Sequence, residues 1–504
     1  MSSPITSFKE KWFVAVQDFK NGLYGFLFQC PSEGLLSKAG NYFALGTAYL
    51  MGVFHWTGLI NYGRVPVKYF DWQKFFDYYG VIQKALAENA IPHFMPYSYK
   101  GTNQFLAIPE VDLSPTIILL NFLSVEEFFL AQIIIVYSLG FLGCLWLKQR
   151  YQWSLFTFLF FFMAFNMNGH IVSHIAIGHW PWISCFLFSF FLVWVLRLVE
   201  GDQSTLHGTR LSWILFGMLL LGGLHPFVWC LFFVFLLCLF QKQYWKPVLI
   251  GVALAMVLSS YRIIPVAITY FGYKNEFVSG FPSISIFWQA LTSVKGQENM
   301  LTLGWSDGAA PWWEVDHYIG VIGLAVMAYF GIFQRMIKKN EWGLNDYRVL
   351  NGPILILTIL SLGSVFKLFT LMSIPFISVE RISARFLIIP MLVLLVISCI
   401  WMQQMFDRSS PRWSVMLGFL AGIFIHGFLF IEHSSIWQVT VWGDTLSNII
   451  IPMFDTPSSW AQSVEWLYVP AVQISYLISL VAIVAFVAGS FYLKRKRSAL
   501  GKEV

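Results

Sequence analysis

The sequence predicts an all-α integral membrane protein that crosses the bilayer about twelve times, and three observations predict it. Of 504 residues, 57% are hydrophobic and only 12% are charged, whereas a soluble globular chain carries roughly 25% charged residues. Apolar stretches recur from Tyr42 to Tyr492 with few charges inside them, and about 20 such residues make a helix long enough for a ~30 Å hydrocarbon core. Basic residues collect at alternate connections, which is the charge asymmetry that sets membrane orientation.

The first element is an arm over residues 1–41, where Trp12, Phe13, Val16 and Phe19 stand among lysines, as in a helix lying on a membrane interface. The first long apolar run starts after residue 40 with no small-residue cleavage site behind it, so no removable signal peptide is expected. Spans are expected at 42–60, 126–147, 153–168, 178–196, 211–224, 226–240, 248–267, 318–334, 353–366, 386–405, 413–431 and 470–493, within one polytopic domain over 42–493. The pair around His225 and Pro226 has an alternative, one long helix from Leu211 to Phe240 kinked at the proline. Basic residues on both flanks, Arg210 and Lys242, favour two short helices.

With the N-terminus inside, the inner segments hold 21 of the 32 Lys and Arg but only 9 of the 26 Asp and Glu. Both ends are therefore expected in the cytoplasm, the C-terminal one as a basic tail over 494–504. The net charge of +6 is scattered over helix ends rather than gathered into a patch, which argues against nucleic acid as a partner. The six cysteines fall in expected spans or in the N-terminal arm, so neither a disulfide framework nor a thiolate metal site is expected.

Four long connections share the outer side, 61–125, 268–317, 367–385 and 432–469, and chemistry tends to sit in loops held by a rigid scaffold. In the first, Trp72, Phe75, Phe76, Tyr79, Ile82 and Leu86 recur at helical spacing, an amphipathic helix that Asp71 opens. Asp71 is either a helix cap or an acid facing a site at the membrane surface. Asp77 is a second acid on that helix, or part of its solvated face; Glu110 and Asp112 are acids or metal ligands, or plain turn residues. The stretch IPHFMPYSYKGTNQ reads as a Pro and Gly loop, and SPTIILLNFLS is too short to cross.

In NGHIVSHIAIGHW, His170 and His174 stand four apart on one prospective helix face, with His179 just beyond. The spacing suits substrate contact, interfacial packing, or a metal if a carboxylate joins them. The segment GWSDGAAPWWEVDHYIG brings Trp305, Trp312 and Trp313 together with Asp307, Glu314, Asp316 and His317, and aromatic faces beside carboxylates suit a sugar or a membrane interface alike. Arg381 and Arg385 stand four apart before an outer span end, placed to grip a phosphate or to pair with Glu380 or lipid headgroups.

The order of FDWQKFFDYYGVIQKALAENAIPHFMPYSYKG, GHIVSHIAIGHWPWI, GGLHPF, WWEVDHYIGVIGL and IPFISVERISARFLIIP along the chain resembles the GT-C superfamily of polytopic membrane glycosyltransferases, and within it the YfhO-like branch. The resemblance implies a GT-C-like architecture in the plasma (inner) membrane. It also implies transfer of a sugar from a polyprenyl-phosphate carrier to an acceptor on the extracytoplasmic face. By position the catalytic acid would be Asp71, with Asp77 or Glu110 as the fallback; charge makes Arg381 and Arg385 candidates for the lipid phosphate. Asp112, His170, His174, Glu314, Asp316 and His317 complete the expected substrate site; the sequence fixes no cofactor, and a divalent cation is the one candidate. Two departures, no large soluble domain after the last span and no WWD-type signature, make peptide glycosylation unlike this chain and leave the acceptor open.

Two other classes compete. Twelve spans with both ends inside also describe a transporter or flippase, although ionisable residues deep in the expected spans are few, essentially His55 and His426, with Arg262 near an outer end. A non-catalytic subunit docked on a membrane-protein partner would keep the fold and lose the acid.

Overall fold

The computed structural model describes residues 4–30, 35–65, 70–99, 102–270, 279–295, 310–337, 347–370, 380–408, 412–440 and 465–500. They form a helical membrane protein with one small antiparallel hairpin, Phe94–Tyr99 against Thr102–Gln104. That hairpin occupies the segment expected as a loop; its Pro and Gly content hides the strand pattern.

Among the described residues seven helices are long and apolar enough to cross a bilayer: Val125–Arg150, Leu155–Ala176, Trp180–Val199, Trp312–Ile337, Ser383–Arg408, Trp413–Ile436 and Trp466–Gly489. An eighth crossing is made if Lys242–Leu258 and Ser260–Thr269, bent by 75° where they meet, count as one span. The other expected spans fall on the 25-residue helix Leu35–Leu59 and on shorter helices, Thr205–Leu220, Leu224–Phe240 and Asn351–Leu360. Leu211 to Phe240 is thus two helices, broken at Gly222, whose φ of +74° an L side chain rarely adopts.

Helix starts follow the local chemistry. Ser124 opens Val125–Arg150 with a capping box: its hydroxyl accepts from Glu127 N, and the Glu127 carboxylate accepts from Ser124 N at 2.8 Å. Asn168 opens Gly169–Ala176 by accepting from Ile171 N at 3.1 Å. Ser383–Arg408 is the central helix and almost wholly buried, while Trp413–Ile436 and Trp466–Gly489 lie at the rim with most of their apolar surface outward, as lipid-facing helices do.

One end of the bundle is tied through Glu200, which takes Arg150, the Tyr151 hydroxyl at 2.7 Å and the Tyr347 hydroxyl at 2.9 Å. The N-terminal helix Pro4–Phe28 docks at this same end: Tyr24 donates to Phe406 O at 2.8 Å, and the Phe28 ring packs on Phe156 and Phe406. At the opposite end, the starts of Trp180–Val199, Leu224–Phe240, Trp312–Ile337 and Ser383–Arg408 meet the close of Leu155–Ala176 and the amphipathic helix Phe70–Ala87. The titratable cluster lies there.

Candidate functional site

Asp71 stands in the first turn of Phe70–Ala87. The neighbouring Trp72 anchors that turn by donating its indole N–H to Ala176 O at 2.9 Å. Ala176 ends the helix that carries His170 and His174, and the chain then reverses through Gly178 at φ +94° to present His179. A Cβ at Gly178 would stand 2.5 Å from Trp72 N and 3.0 Å from the Asp71 carbonyl carbon, so only glycine lets the two backbones touch. Gly178→Ala is therefore expected to separate Asp71 from His179 and to destabilise the fold by more than the about 1 kcal/mol that a Gly→Ala change gains where the backbone conformation suits alanine. Thermal unfolding in detergent checks this; an unchanged midpoint contradicts it.

From Asp71 a line of polar contacts runs in both directions. Lys74 Nζ lies 3.4 Å from Asp71 Oδ1 and also pairs with Glu110. Arg262 holds the turn that carries Glu110, donating to Ile108 O at 2.6 Å and to Val111 O. Burial alone would pull Lys74 down, but Asp71 and Glu110 beside it hold its ammonium well above the ordinary value. On the other side, His179 Nε2 lies 2.8 Å from Asp71 Oδ2, and the His179 ring is 5.1 Å from that of His174.

His174 Nε2 then meets Glu314 Oε2 at 3.2 Å, while its Nδ1 faces His170 O at 2.8 Å. Glu314 in turn accepts a two-pronged grip from Arg385, Nε to Oε2 and Nη2 to Oε1, both at 2.8 Å. The third guanidinium nitrogen, Nη1, reaches Glu380 Oε1 at 3.2 Å, and the other oxygen of Glu380 takes His225 Nδ1 at 2.8 Å and the Trp229 indole N–H at 3.0 Å. Trp182 packs against this line: its ring is stacked on His174 at 4.6 Å, lies 5.0 Å from the Arg385 guanidinium carbon, and donates its N–H to His170 Nε2 at 3.2 Å.

The line has a closed side and an open side. Side chains of Glu314, Glu380 and Arg385 are at most 3% exposed, whereas Asp71 is 21%, Glu110 31%, His179 14% and His225 23% exposed. A ligand thus meets Asp71, Glu110 and the two histidines first, and the Glu314–Arg385–Glu380 group supports them from behind.

Other expected residues take different places. Asp77 is half-buried further along its helix, and burial raises its carboxyl. Asp112 is buried and bound to Gln132 and to Ser114 N at 2.7 Å, which makes it a turn residue; burial pushes its carboxyl up to about 6 against those hydrogen bonds. Asp316 serves a neighbouring group, accepting from the Trp437 indole at 2.9 Å and from Tyr318 N at 3.0 Å, with His433 Nε2 at 3.0 Å. The His317 ring stacks on His170 at 4.6 Å behind the line.

The two arginines expected to act as a pair are separated. Residues 380–382 are extended rather than helical, with Ser279 N donating to Arg381 O and Ser383 N to Ser279 O, each at 2.8 Å. Arg381 is exposed and Arg385 buried, so a spacing of four does not put them on one face. Arg385 is engaged by Glu314 and Glu380, one of the alternatives its sequence context left open. Trp305 and Asp307, residues 371–379 of the connection 367–385 and most of the connection 432–469 lie outside the described residues.

Sequence spacing missed Lys74, His225 and Trp182 as members of the site, and placed His179 only beside it. The signal for Lys74 was its position one helical turn after Asp71. A pH effect follows from Glu380. Burial alone would raise its carboxyl, but His225, Arg385 and the Trp229 N–H hold it down at about 2, against an ordinary 4.5. A depressed carboxyl contributes stability that is full above about pH 4.5 and is lost as pH falls toward 2. The unfolding midpoint is expected to fall over that window in the wild type and to fall less steeply in Glu380→Gln; equal slopes would contradict the assignment.

Comparison of this chain with known protein families, with curated proteins and with solved structures finds no match.

Proposed function

We propose that the protein is a membrane glycosyltransferase that moves a sugar from a polyprenyl-phosphate carrier to an acceptor, with Asp71 as the catalytic base. The observation that carries the reading is the meeting of a partly exposed carboxylate, Asp71, with His179 at 2.8 Å and Lys74 at 3.4 Å, at the end of an apolar helical bundle. Such a place lets a prenyl chain remain in hydrocarbon while its sugar reaches polar groups. The reading includes twelve crossings in a GT-C-like arrangement, both termini in the cytoplasm and the site on the extracytoplasmic face of the plasma membrane.

In the proposed step an acceptor hydroxyl oxygen attacks the anomeric carbon, and its proton passes to Asp71. The bond from that carbon to the phosphate oxygen breaks, and polyprenyl phosphate leaves with the electron pair. A single displacement inverts the anomeric configuration. The His179 contact fixes the direction in which Asp71 points, which is what a general base needs before anything else. Arg385, engaged by two carboxylates, serves the reading by fixing Glu314 and Glu380 rather than by holding the lipid phosphate.

A photoreactive polyprenyl-phosphate sugar tests the binding half of this reading. Label is expected within 70–87 and 169–182, and unlabelled donor is expected to compete it away. Labelling spread over the lipid-facing helices and indifferent to competitor would count against it.

A further inference from the structure

The tautomers of the clustered histidines point to a second property of this site. One donor atom each from His174, His179 and Glu314 lie within 4.8 Å of one another. The ring of His174 is fully buried with Nδ1 2.8 Å from His170 O, an acceptor that requires the proton on Nδ1. Its Nε2 therefore turns a lone pair toward Glu314 Oε2 at 3.2 Å, two acceptors face to face, unless a proton or a cation lies between them. The His179 ring presents the same pattern in mirror form: Nε2 faces the carboxylate of Asp71 at 2.8 Å, and Nδ1 is buried with no hydrogen-bond partner among the described residues.

In both rings one nitrogen is oriented by an acceptor outside the cluster, a backbone carbonyl for His174 and a carboxylate for His179. Metal-ligating imidazoles are held in this way: the outer acceptor fixes the tautomer and sharpens the basicity of the inner nitrogen.

We propose that His174, His179 and Glu314 bind a divalent transition-metal ion of the zinc type, with Asp71 and His170 O orienting the two imidazoles. Two imidazoles and one carboxylate suit such borderline ions better than Mg²⁺ or Ca²⁺, which prefer oxygen alone. Three protein ligands leave a fourth position for water or a substrate oxygen. Ligand atoms in a tetrahedral site stand roughly 3.3 Å apart at bond lengths of about 2.0–2.1 Å, so binding draws the partly exposed His179 inward. This inference rests on ring and carboxylate geometry and not on sugar transfer, and its test reads metal rather than activity.

Protein purified in detergent, stripped with a chelator and dialysed against Zn²⁺ or Co²⁺, is measured for bound metal and for the visible absorption of tetrahedral Co²⁺. One ion per chain with that absorption is expected for the wild type and for His93→Gln, a histidine outside the cluster. Occupancy and absorption are expected to be lost in His174→Gln and in His179→Gln; because the His179 ring is partly exposed, its variant keeps the fold and carries the test if His174→Gln does not. Asp71→Asn is expected to weaken affinity by about 10–100-fold. Less than stoichiometric metal in the wild type, meaning that a proton alone joins His174 to Glu314, or full binding by His179→Gln, would overturn the proposal.

Discussion

Replacing Arg385 by methionine is expected to be the most destabilising single change in the site. Its guanidinium makes three charged hydrogen bonds, two to Glu314 and one to Glu380, in a setting where each of the three side chains is at most 3% exposed. Removing one member of a buried ion pair leaves the other charge desolvated and uncompensated, a loss of about 3–5 kcal/mol. Here two carboxylates, Glu314 and Glu380, are stranded. Adding Glu314→Gln and Glu380→Gln to Arg385→Met removes the stranded charges, so the triple variant should recover part of the loss. Unfolding midpoints in detergent decide it: a triple variant no more stable than Arg385→Met would mean that packing, rather than charge, sets the cost.

The second large effect is on rate. Under the proposed mechanism Asp71→Asn keeps the size and hydrogen-bonding shape of the side chain but cannot accept the acceptor's proton, and loss of a positioned general base costs about 10²–10⁴-fold. The loss should appear in kcat, with KM for the donor nearly unchanged, because proton uptake develops only in the transition state. His179→Gln, which frees Asp71 from its 2.8 Å contact, should give a smaller drop in kcat, as expected of a positioning residue. A fall confined to KM in Asp71→Asn would make Asp71 a binding group instead.

Composition and periodicity were enough to read an all-helical membrane chain and the opening of Phe70–Ala87 at Asp71, because both are local properties of the sequence. The face shared by His170 and His174 was equally local. What joins these pieces is not. Asp71 meets His179, His174 meets Glu314, and His225 meets Glu380, pairings across about a hundred residues or more that no spacing rule encodes.

The Arg381 and Arg385 pair shows how a spacing rule fails. It assumed a helix where the chain is extended by a bridge to Ser279, so the two side chains part company. Short helices such as Leu224–Phe240 and Arg348–Leu360 blur the count of crossings for a related reason: they are apolar but shorter than the roughly 20 residues that span a hydrocarbon core.

Sugar transfer in membranes decides whether Asp71 is the base of a glycosyltransferase. Membranes containing the wild type, Asp71→Asn or Asp77→Asn at matched expression are supplied with a panel of radiolabelled polyprenyl-phosphate sugars, and label is followed into endogenous acceptors. Transfer from at least one donor is expected for the wild type, with its loss in Asp71→Asn and its retention in Asp77→Asn. Full transfer without Asp71, or none by the wild type with any donor, would contradict it.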